Sequence, residues 1–359
     1  MIGKPTEYPA GQRRDNILRA VRFEMPEYIP MVFHINASCW DHYPQEALEE
    51  LVESHPFLFA DCGNASGPVE LEGEIPERVG KPFTDGWGCV WETTMDGIVG
   101  CVTSHPLSSW DKFDCYSPPN PQVDSGKGAI SWDRIAQNIS DVKSAGGLTI
   151  GGLQHGHTFQ RLADIRGYEN FLFDMADEDP RLDKLIEMVE DFNMFAVRRY
   201  ADLGVEWMSY PEDLGMQNRL MLSPGQFRKF IKPCYERLMA PARAKDLIVH
   251  AHCDGYIRDI ADDLIDGGVN VLNLQDLVNG IDWIRDNLKG RICIELDIDR
   301  QMITPSATPG QIDALIRGEI EQLGSKAGGL MMIYGLYPGV PLENVKALMD
   351  AMVRYATCY

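Results

Sequence analysis

The stretch Leu247-Ile-Val-His-Ala-His-Cys-Asp-Gly255 decides which fold and which kind of site this chain should have. Its apolar, β-branched beginning predicts a buried parallel strand, and the glycine at its end predicts a turn. Residues two apart in a strand point to the same side, so His250 and His252 should share one face. A strand that ends in two histidines, a thiol and a carboxylate indicates that its carboxyl end faces a functional site.

Eight apolar runs of strand type alternate with helical patterns along the chain: residues 28–34, 57–61, 148–153, 207–212, 247–252, 269–274, 292–296 and 330–335. Alternation at this spacing predicts right-handed βαβ units, and eight of them predict a closed (β/α)8 TIM barrel in a single domain, residues 1–359. An open doubly wound sheet is the alternative. It has little support, because no Gly-x-Gly-x-x-Gly motif follows the first strand.

Residues 63–147 interrupt this alternation and are rich in glycine, proline and tryptophan. We interpret them as an insertion after the second strand that covers or shapes the mouth of the barrel. Inside it, two β-type runs within residues 90–102 are joined by Asp96-Gly97, which predicts a β-hairpin.

The composition excludes several classes of partner. The 359 residues carry a formal net charge of −21, which argues against binding nucleic acid or an anionic membrane surface. No apolar run is long enough to span a membrane. The 9 cysteines are odd in number and scattered, with no Cys-x-x-Cys pair, which is typical of a reduced cytoplasmic protein.

Nearly every predicted strand ends in a polar side chain, and in a TIM barrel the chemistry lies at those ends. Catalytic candidates are Tyr334, Asp61 and Asp213; candidates for binding substrate are His155, His157, Gln275 and His34; candidate metal ligands are His252, Asp254, Glu212 and Glu295. Among the adjacent acids Glu212 and Asp213, one could be a ligand or general base while the other caps a helix. His155 and His157 could bind substrate or form a second metal pair, or they could equally be loop histidines facing solvent. His250 should form hydrogen bonds inside the barrel, one pleat below His252.

The same residues resemble the uroporphyrinogen decarboxylase superfamily over about residues 155–355. The motifs that carry the resemblance are Arg166-Gly-Tyr-Glu-Asn170, Pro211-Glu-Asp-Leu-Gly215, Leu222-Ser-Pro-Gly-Gln-Phe227, His252-Cys-Asp-Gly255, Gly280-Ile-Asp282, Leu296-Asp-Ile-Asp299 and Gly335-Leu-Tyr-Pro-Gly-Val-Pro-Leu-Glu-Asn344. The superfamily fold is a (β/α)8 barrel, in agreement with the number of strands.

The chain departs from the true decarboxylases of this superfamily. These have an arginine-rich amino-terminal segment that binds the carboxylates of the substrate, whereas residues 31–40 here contain no arginine. Asp61 matches the family's pyrrole-binding aspartate, but the family's late histidine falls on Tyr334. Uroporphyrinogen is therefore not the expected substrate.

The zinc methyltransferases that work with corrinoid proteins are the nearer branch. In that branch the zinc ligands are a His-x-Cys pair and a later cysteine, which fall here on His252, Asp254 and Tyr334. Both thiolates are thus replaced by oxygen groups, and Glu212 or Glu295 could complete the set. An oxygen-rich zinc is a harder Lewis acid, suited to polarising the oxygen of a methoxy group rather than activating a thiol.

The resemblance therefore predicts a cytoplasmic methyltransferase that passes a methyl group from a small methylated donor to a corrinoid-binding partner protein. Its oligomeric state stays open, a homodimer included. One alternative is a metal-free lyase that decarboxylates a small acid or tetrapyrrole, with Asp61 as stabiliser and Tyr334 as proton donor. A tetrapyrrole-binding protein without catalysis is a third hypothesis. It ranks last, because the acid, base and ligand types exceed what binding requires.

Overall fold

The computed structural model describes residues 10–60 and 75–358, and in these ranges the strands form two sheets. Seven parallel strands make one curled sheet in the order β1-β10-β9-β8-β7-β6-β5, and β2, β3 and β4 make an antiparallel sheet. The strands are β1 (Met31–Ile35), β2 (Phe83–Thr84), β3 (Val90–Glu92), β4 (Cys101–Ser104), β5 (Ile150–Gly152), β6 (Trp207–Pro211), β7 (Ile248–Cys253), β8 (Val271–Gln275), β9 (Cys293–Asp297) and β10 (Leu330–Leu336). The architecture is that of the (β/α)8 barrel.

Helices cover the outside of the curled sheet. They are α1 (Ala10–Arg22), α2 (Ala37–His42), α3 (Gln45–Ser54), α4 (Pro56–Phe59), α5 (Trp132–Ser144), α6 (Phe159–Arg166), α7 (Tyr168–Asp177), α8 (Pro180–Leu203), α9 (Pro224–Gln226), α10 (Lys232–Ala244), α11 (Ala261–Asp266), α12 (Asp276–Asn279), α13 (Ile281–Asn287), α14 (Ile303–Ser306), α15 (Pro309–Leu323) and α16 (Leu342–Tyr355). A π-helix spans Phe227–Ile231, and 3-10 helices span Trp110–Cys115 and Arg258–Ile260. None of the described helices is long and apolar enough to cross a membrane.

Seven of the eight predicted barrel strands are present, and the prediction for residues 57–61 is wrong. That segment begins as the short helix α4 and runs into residues outside the described ranges, Asp61 among them. Pro56 explains the difference: its ring fixes φ at a helical value and it has no N–H for a strand ladder, so it favours the first position of a helix. Phe57 and Leu58 are still buried in the core.

Helix α1 closes the amino-terminal end of the barrel. Ile17, Leu18 and Val21 pack with residues from the beginnings of the strands, such as Trp207 and Met331, in an apolar cluster separate from the main core. With that end filled by apolar side chains, polar chemistry is confined to the opposite end, where the strands finish.

The register of the parallel strands decides which side chains face the barrel interior. His252 is in register with Pro211 on one side and with Asn273 on the other, and Asn273 is in register with Glu295. Because side chains alternate along a strand, the neighbours of these residues in sequence face the outer helices. Tyr334, for example, is in register with Phe33, and both side chains are fully buried in the helix-facing core.

The predicted hairpin is present in the segment between α4 and β5. Strands β3 and β4 pair antiparallel, with Trp91 opposite Val102, and Gly97 adopts φ +82° in the connection. A buried ion pair fixes this small sheet to the barrel. Arg161 Nη1 of α6 lies 2.6 Å from Asp85 Oδ2, which also accepts a hydrogen bond from Trp91 Nε1 at 2.9 Å.

Candidate active site

Three side chains of metal-ligand type converge where β5, β6 and β7 end. His155 Nε2 lies 3.3 Å from Asp213 Oδ1, and His252 Nε2 lies 3.5 Å from the same oxygen. One donor atom from each residue lies within 4.8 Å of the other two. His155 and Asp213 follow β5 and β6, and His252 lies on β7, so the parallel pairing of these strands brings them together. We call His155, Asp213 and His252 the rim group.

A hydrogen-bond relay fixes the His252 ring. Asn273 Nδ2 donates to the Glu295 backbone oxygen at 2.9 Å, which turns Asn273 Oδ1 toward His252 Nδ1. This oxygen can only accept, so the His252 proton lies on Nδ1 when the ring is neutral. The lone pair of Nε2 is then directed into the rim group, an arrangement typical of histidines that bind metals.

The rim group favours positive charge. Burial raises the pKa of Asp213, but hydrogen bonds from His155 and His252 outweigh this effect and lower it well below the usual range. Burial lowers the pKa of His252, but its hydrogen bond to Asp213 and the charge of Asp254 outweigh this effect and raise it to about 9. A proton or a metal cation at this position is therefore stabilised by the surrounding carboxylates.

Two imidazole nitrogens and one carboxylate oxygen form a donor set suited to zinc. Tetrahedral zinc with bonds of about 2.0–2.2 Å separates its ligand atoms by roughly 3.3–3.6 Å. The distances of 3.3 and 3.5 Å from Asp213 Oδ1 to the two ring nitrogens match that separation. Three protein ligands would leave the fourth position of such a zinc open, as in catalytic sites. His252 was predicted as a ligand, whereas His155 and Asp213 were predicted in substrate-binding and catalytic roles.

Asp254 lies at the edge of the rim group. Its Oδ1 is 3.9 Å from His252 Nε2, and Arg300 Nη2 donates to it at 3.2 Å. Arg300 also contacts Asp297 Oδ2 at 2.5 Å. Burial, countered by Arg300, raises the pKa of Asp297 to about 7. The Asp254 carboxylate thus lies between His252 of the rim group and Arg300, which sequence reasoning did not place in the site.

Glu212 is not part of the rim group and serves as a helix cap. Its Oε1 accepts hydrogen bonds from the backbone N–H groups of Thr158 at 2.8 Å and Gln160 at 2.9 Å, at the beginning of α6. Its Oε2 accepts from the hydroxyl of Tyr235. Glu212 follows the outward-facing side of β6, so the structure decides between the two adjacent acids: Glu212 caps a helix and Asp213 faces the site.

Glu295 lies one level below the rim group. Its Oε2 pairs with His250 Nε2 at 2.9 Å, and His250 Nδ1 contacts Ser209 Oγ at 2.8 Å, so His250 forms the predicted bonds within the barrel. Burial raises the pKa of Glu295, but the bond with His250 outweighs it and lowers the pKa. Burial lowers the pKa of His34 on β1, and the negative charge of Glu295 offsets this effect only in part.

The structure places His157 and Gln275 away from the substrate space. His157 is buried between Tyr210 and Tyr235, with ring centroids 6.1 and 5.3 Å away, and its Nδ1 lies 2.6 Å from Thr158 Oγ1. Gln275 Oε1 accepts a hydrogen bond from the Gly255 N–H at 3.0 Å and so holds the loop after β7. Both side chains support the rim instead of lining it.

Tyr334 requires a correction, because its hydroxyl does not reach the barrel mouth. The side chain is fully buried, its ring centroid lies 5.1 Å from that of Phe33, and its hydroxyl donates to Thr304 Oγ1 at 3.0 Å. Burial raises the pKa of the Tyr334 hydroxyl above its usual value. One residue of strand alternation separates this outward position from the inward positions of Ile333 and Gly335. Asp61, the other proposed catalytic residue of the lyase hypothesis, lies outside the described residues.

A cavity of about 540 Å³ opens beside the rim group, with His155 and Asp213 at one end. Its walls come from α6, from Tyr168 and Met221, and from the segment that contains β3 and β4. Gln160 of α6 lines the cavity and also contacts the rim group, because its Oε1 accepts the N–H of Asp213 at 3.2 Å. Residues of the segment that we interpret as an insertion therefore line this cavity.

Sequence reasoning missed Arg300 and Gln160 as parts of the site and gave Asn273, a polar residue near a strand end, no role there. Register is the signal that identifies Asn273, because it stands beside His252 on the next inward-facing position. Arg300 and Gln160 come from loops and helices whose approach to the strand ends no local pattern predicts.

A family model and one solved structure agree with this fold. The family model described as uroporphyrinogen decarboxylase (URO-D) matches residues 102–355. A solved methyltransferase from Methanosarcina mazei is 17% identical, with a TM-score of 0.66 over 97% of this chain and 99% of that chain. A B12-independent methionine synthase from Shewanella sp. W3-18-1 is 11% identical, with a TM-score of 0.40 over 64% of this chain and 65% of that chain. No curated protein matches the chain significantly.

Proposed function

Because the chain belongs to the uroporphyrinogen decarboxylase family, we propose that it is a methyltransferase of that family. It takes a methyl group from a small methoxylated donor and passes it to the corrinoid cofactor of a partner protein. The observation that carries the proposal is the rim group, two imidazoles and a carboxylate within 4.8 Å of one another beside a cavity of about 540 Å³. A thiol is missing from this donor set, which favours an oxygen-bound methyl group over a thiol as the reacting partner.

His155, Asp213 and His252 would hold a zinc ion. When bound, zinc supplies a Lewis acid that stabilises negative charge on the donor oxygen. The net reaction breaks the bond between that oxygen and the methyl carbon, and the methyl group passes to the cobalt(I) of the corrinoid. The electron pair of the broken bond stays on the oxygen, which then takes a proton from water.

The chain's own residues orient the reacting groups. Asn273 holds the His252 ring, and Gln160 holds the Asp213 backbone. Arg300 Nη2 lies 3.2 Å from Asp254 Oδ1 and so fixes this carboxylate beside the rim group. The cavity walls contain Trp91, Phe159 and Met221, apolar side chains that exclude water from the bound donor.

The metal-free lyase hypothesis has less support. It needs Tyr334 as a proton donor, and the Tyr334 hydroxyl is bonded to Thr304 in the buried core. A buried hydroxyl on the far side of the strand has no path to a substrate carbon at the barrel mouth.

The experiment is a methyl-transfer assay on protein purified without chelator. Wild-type protein is mixed with cob(I)alamin and a panel of methyl ethers, and methylcobalamin is followed by its absorbance. We expect about one zinc per chain by elemental analysis, and transfer from at least one ether. Asp213→Asn should remove most of the zinc, because an amide is a much poorer ligand than a carboxylate. Thr304→Val serves as the matched control near Tyr334 and should leave zinc and transfer unchanged. Decarboxylation by metal-free protein would contradict the proposal.

A further inference from the structure

A lysine and an aspartate outside the rim group also line the cavity. Lys127, from the segment before α5, and Asp164, from α6, both line the cavity that His155 and Asp213 border. The Lys127 ammonium lies 4.6 Å from the centre of the Trp91 ring. Among residues 10–60 and 75–358 no carboxylate lies within ion-pair distance of this ammonium. Burial lowers its pKa, although the charges of Asp164, Glu77 and Asp85 act in the opposite direction.

The backbone around Lys127 is fixed by a tight turn. Ser125 donates its N–H to the Gly128 oxygen at 2.8 Å, and Gly126 donates its N–H to Asp124 Oδ1 at 2.7 Å. Gly126 adopts φ +95°, and a Cβ there would lie 2.8 Å from Trp87 Nε1. The turn is therefore packed against the small sheet, and Lys127 is presented from a defined position instead of a free loop.

The neighbouring cation, the Arg161 guanidinium, already has a carboxylate partner. Arg161 lies close to Asp164 in sequence, but its guanidinium is buried and pairs with Asp85 at 2.6 Å. Asp164 itself has no hydrogen-bond donor to its carboxylate among the described residues, and burial, countered by Arg161 and Lys127, raises its pKa to about 6. An anion entering this part of the cavity would therefore meet Lys127 as its partner and Asp164 as a like charge.

Helix α6 carries both Gln160, which contacts the rim group, and Asp164 along one wall of the cavity. Gln160 contacts Asp213, and Asp164 follows four residues later, which is one helical turn or about 6 Å along the axis. Between them the walls are aromatic and apolar: Trp91, Phe159 and Tyr168. Such walls suit a planar apolar ring.

We infer that Lys127 is a specificity-determining residue that binds a carboxylate on the methyl donor, in the same cavity that the rim group borders. The inference rests on the proposed function and names its substrate class: a methyl ether with an apolar ring and a carboxylate at the opposite end. Asp164 opposes the same carboxylate and limits its affinity, so the two residues act on binding in opposite directions.

The test measures binding without turnover. Isothermal titration calorimetry of the full chain compares 4-methoxybenzoate with 4-methoxybenzamide, which have the same shape but differ in charge. We expect the carboxylate to bind at least about tenfold more tightly, because a charge-assisted hydrogen bond exceeds a neutral one by that order. Lys127→Met should remove the preference, and Lys127→Arg should keep most of it. Asp164→Asn should strengthen binding of the carboxylate several-fold and leave the amide unchanged.

The matched control is Lys112→Met, which removes an exposed lysine from the same segment and should alter neither affinity. Thermal melting of each variant shows whether it is folded. Equal affinity for the two probes, no binding of either, or full carboxylate preference in folded Lys127→Met would each overturn the inference. The methyl-transfer assay and zinc content of the wild type decide the proposed function separately, because they do not depend on which ether carries a carboxylate.

Discussion

Two carboxylates, one beside the small sheet and one in the rim group, have opposite kinds of surroundings. Asp85, in the small sheet, is fully bonded: Oδ1 accepts the N–H groups of Trp87 and Cys89 at 3.0 and 2.9 Å, and Oδ2 accepts from Trp91 and Arg161. Asp213, in the rim group, has all its contacts on one oxygen: Oδ1 accepts the Asp254 N–H at 3.1 Å and has two imidazole nitrogens 3.3 and 3.5 Å away, whereas no described residue donates a hydrogen bond to Oδ2. A saturated carboxylate fixes structure, whereas an incompletely bonded one is poised for chemistry.

The largest effect should come from the rim group. His252→Ala should lower methyl transfer by at least about a thousandfold, since a catalytic metal supplies several kcal/mol of transition-state stabilisation. Zinc content should fall in parallel. The free energy of unfolding should change by less than about 1 kcal/mol, because rim residues of a barrel contribute little core packing. Steady-state assays, elemental analysis and urea unfolding check the three quantities. A fully active variant would remove His252 from the site.

The buried ion pair between Asp85 and Arg161 should contribute to stability instead of catalysis. Asp85→Ala leaves Arg161 buried without its partner and should lower the free energy of unfolding by about 3–5 kcal/mol. Asp202→Ala is the control, because its pair with Lys245 is exposed and such pairs contribute at most about 1 kcal/mol. Urea unfolding measures both. Folded Asp85→Ala protein that keeps its zinc would support the contrast between the two carboxylates. A stability equal to that of Asp202→Ala would contradict it.

A smaller effect is expected where a residue acts through a ligand. Asn273→Ala removes the acceptor that orients His252 and should weaken zinc affinity about 10–100-fold without abolishing it. Asn273→Asp restores an acceptor and should recover part of the loss. Competition with a chromophoric chelator measures the affinities. An unchanged affinity in Asn273→Ala would show that the ring is held by other contacts.

The smallest effect concerns a buried carboxylate without donors. Glu319 lies against Asp276; its oxygens have no donor among the described residues, and burial raises its pKa well above the usual value. Burial also raises the pKa of Asp276 to about 6. Raised acid pKa values mean that the stabilisation is complete below the unfolded pKa of about 4 and is lost as the pH rises through the folded values.

Glu319→Gln should therefore flatten the dependence of the melting temperature on pH. Wild-type protein should melt at a lower temperature at pH 8 than at pH 5, and the variant should lose less over that range. Differential scanning calorimetry at the two pH values measures the difference, with Glu321→Gln, exposed on the same helix, as control. An identical pH slope in wild type and Glu319→Gln would contradict this account of the buried pair.

The barrel could be predicted from the sequence because its strands have uniform apolar patterns and turn signals at their ends. The strand prediction at residues 57–61 failed because an apolar run of that length fits a strand and a short buried helix equally well, and Pro56 decides between them. The convergence of His155, Asp213 and His252 was within reach, since all three were chosen from strand ends. The sequence could not separate ligands from supporting residues. Glu212 and Tyr334 each stand one residue away from a position whose side chain faces the barrel interior. Lys127 and Asp164 follow no periodic pattern and are brought together only by tertiary packing.

The apolar closure of the barrel by α1 has a kinetic consequence. Ile17, Leu18 and Val21 fill the amino-terminal end, so a donor and a corrinoid partner would approach through the same mouth. A partner that covers this mouth holds the small product behind it. We therefore expect an ordered mechanism in which the donor binds first and the demethylated product leaves only after the partner has dissociated. Product inhibition should then be competitive against the donor and noncompetitive against the partner.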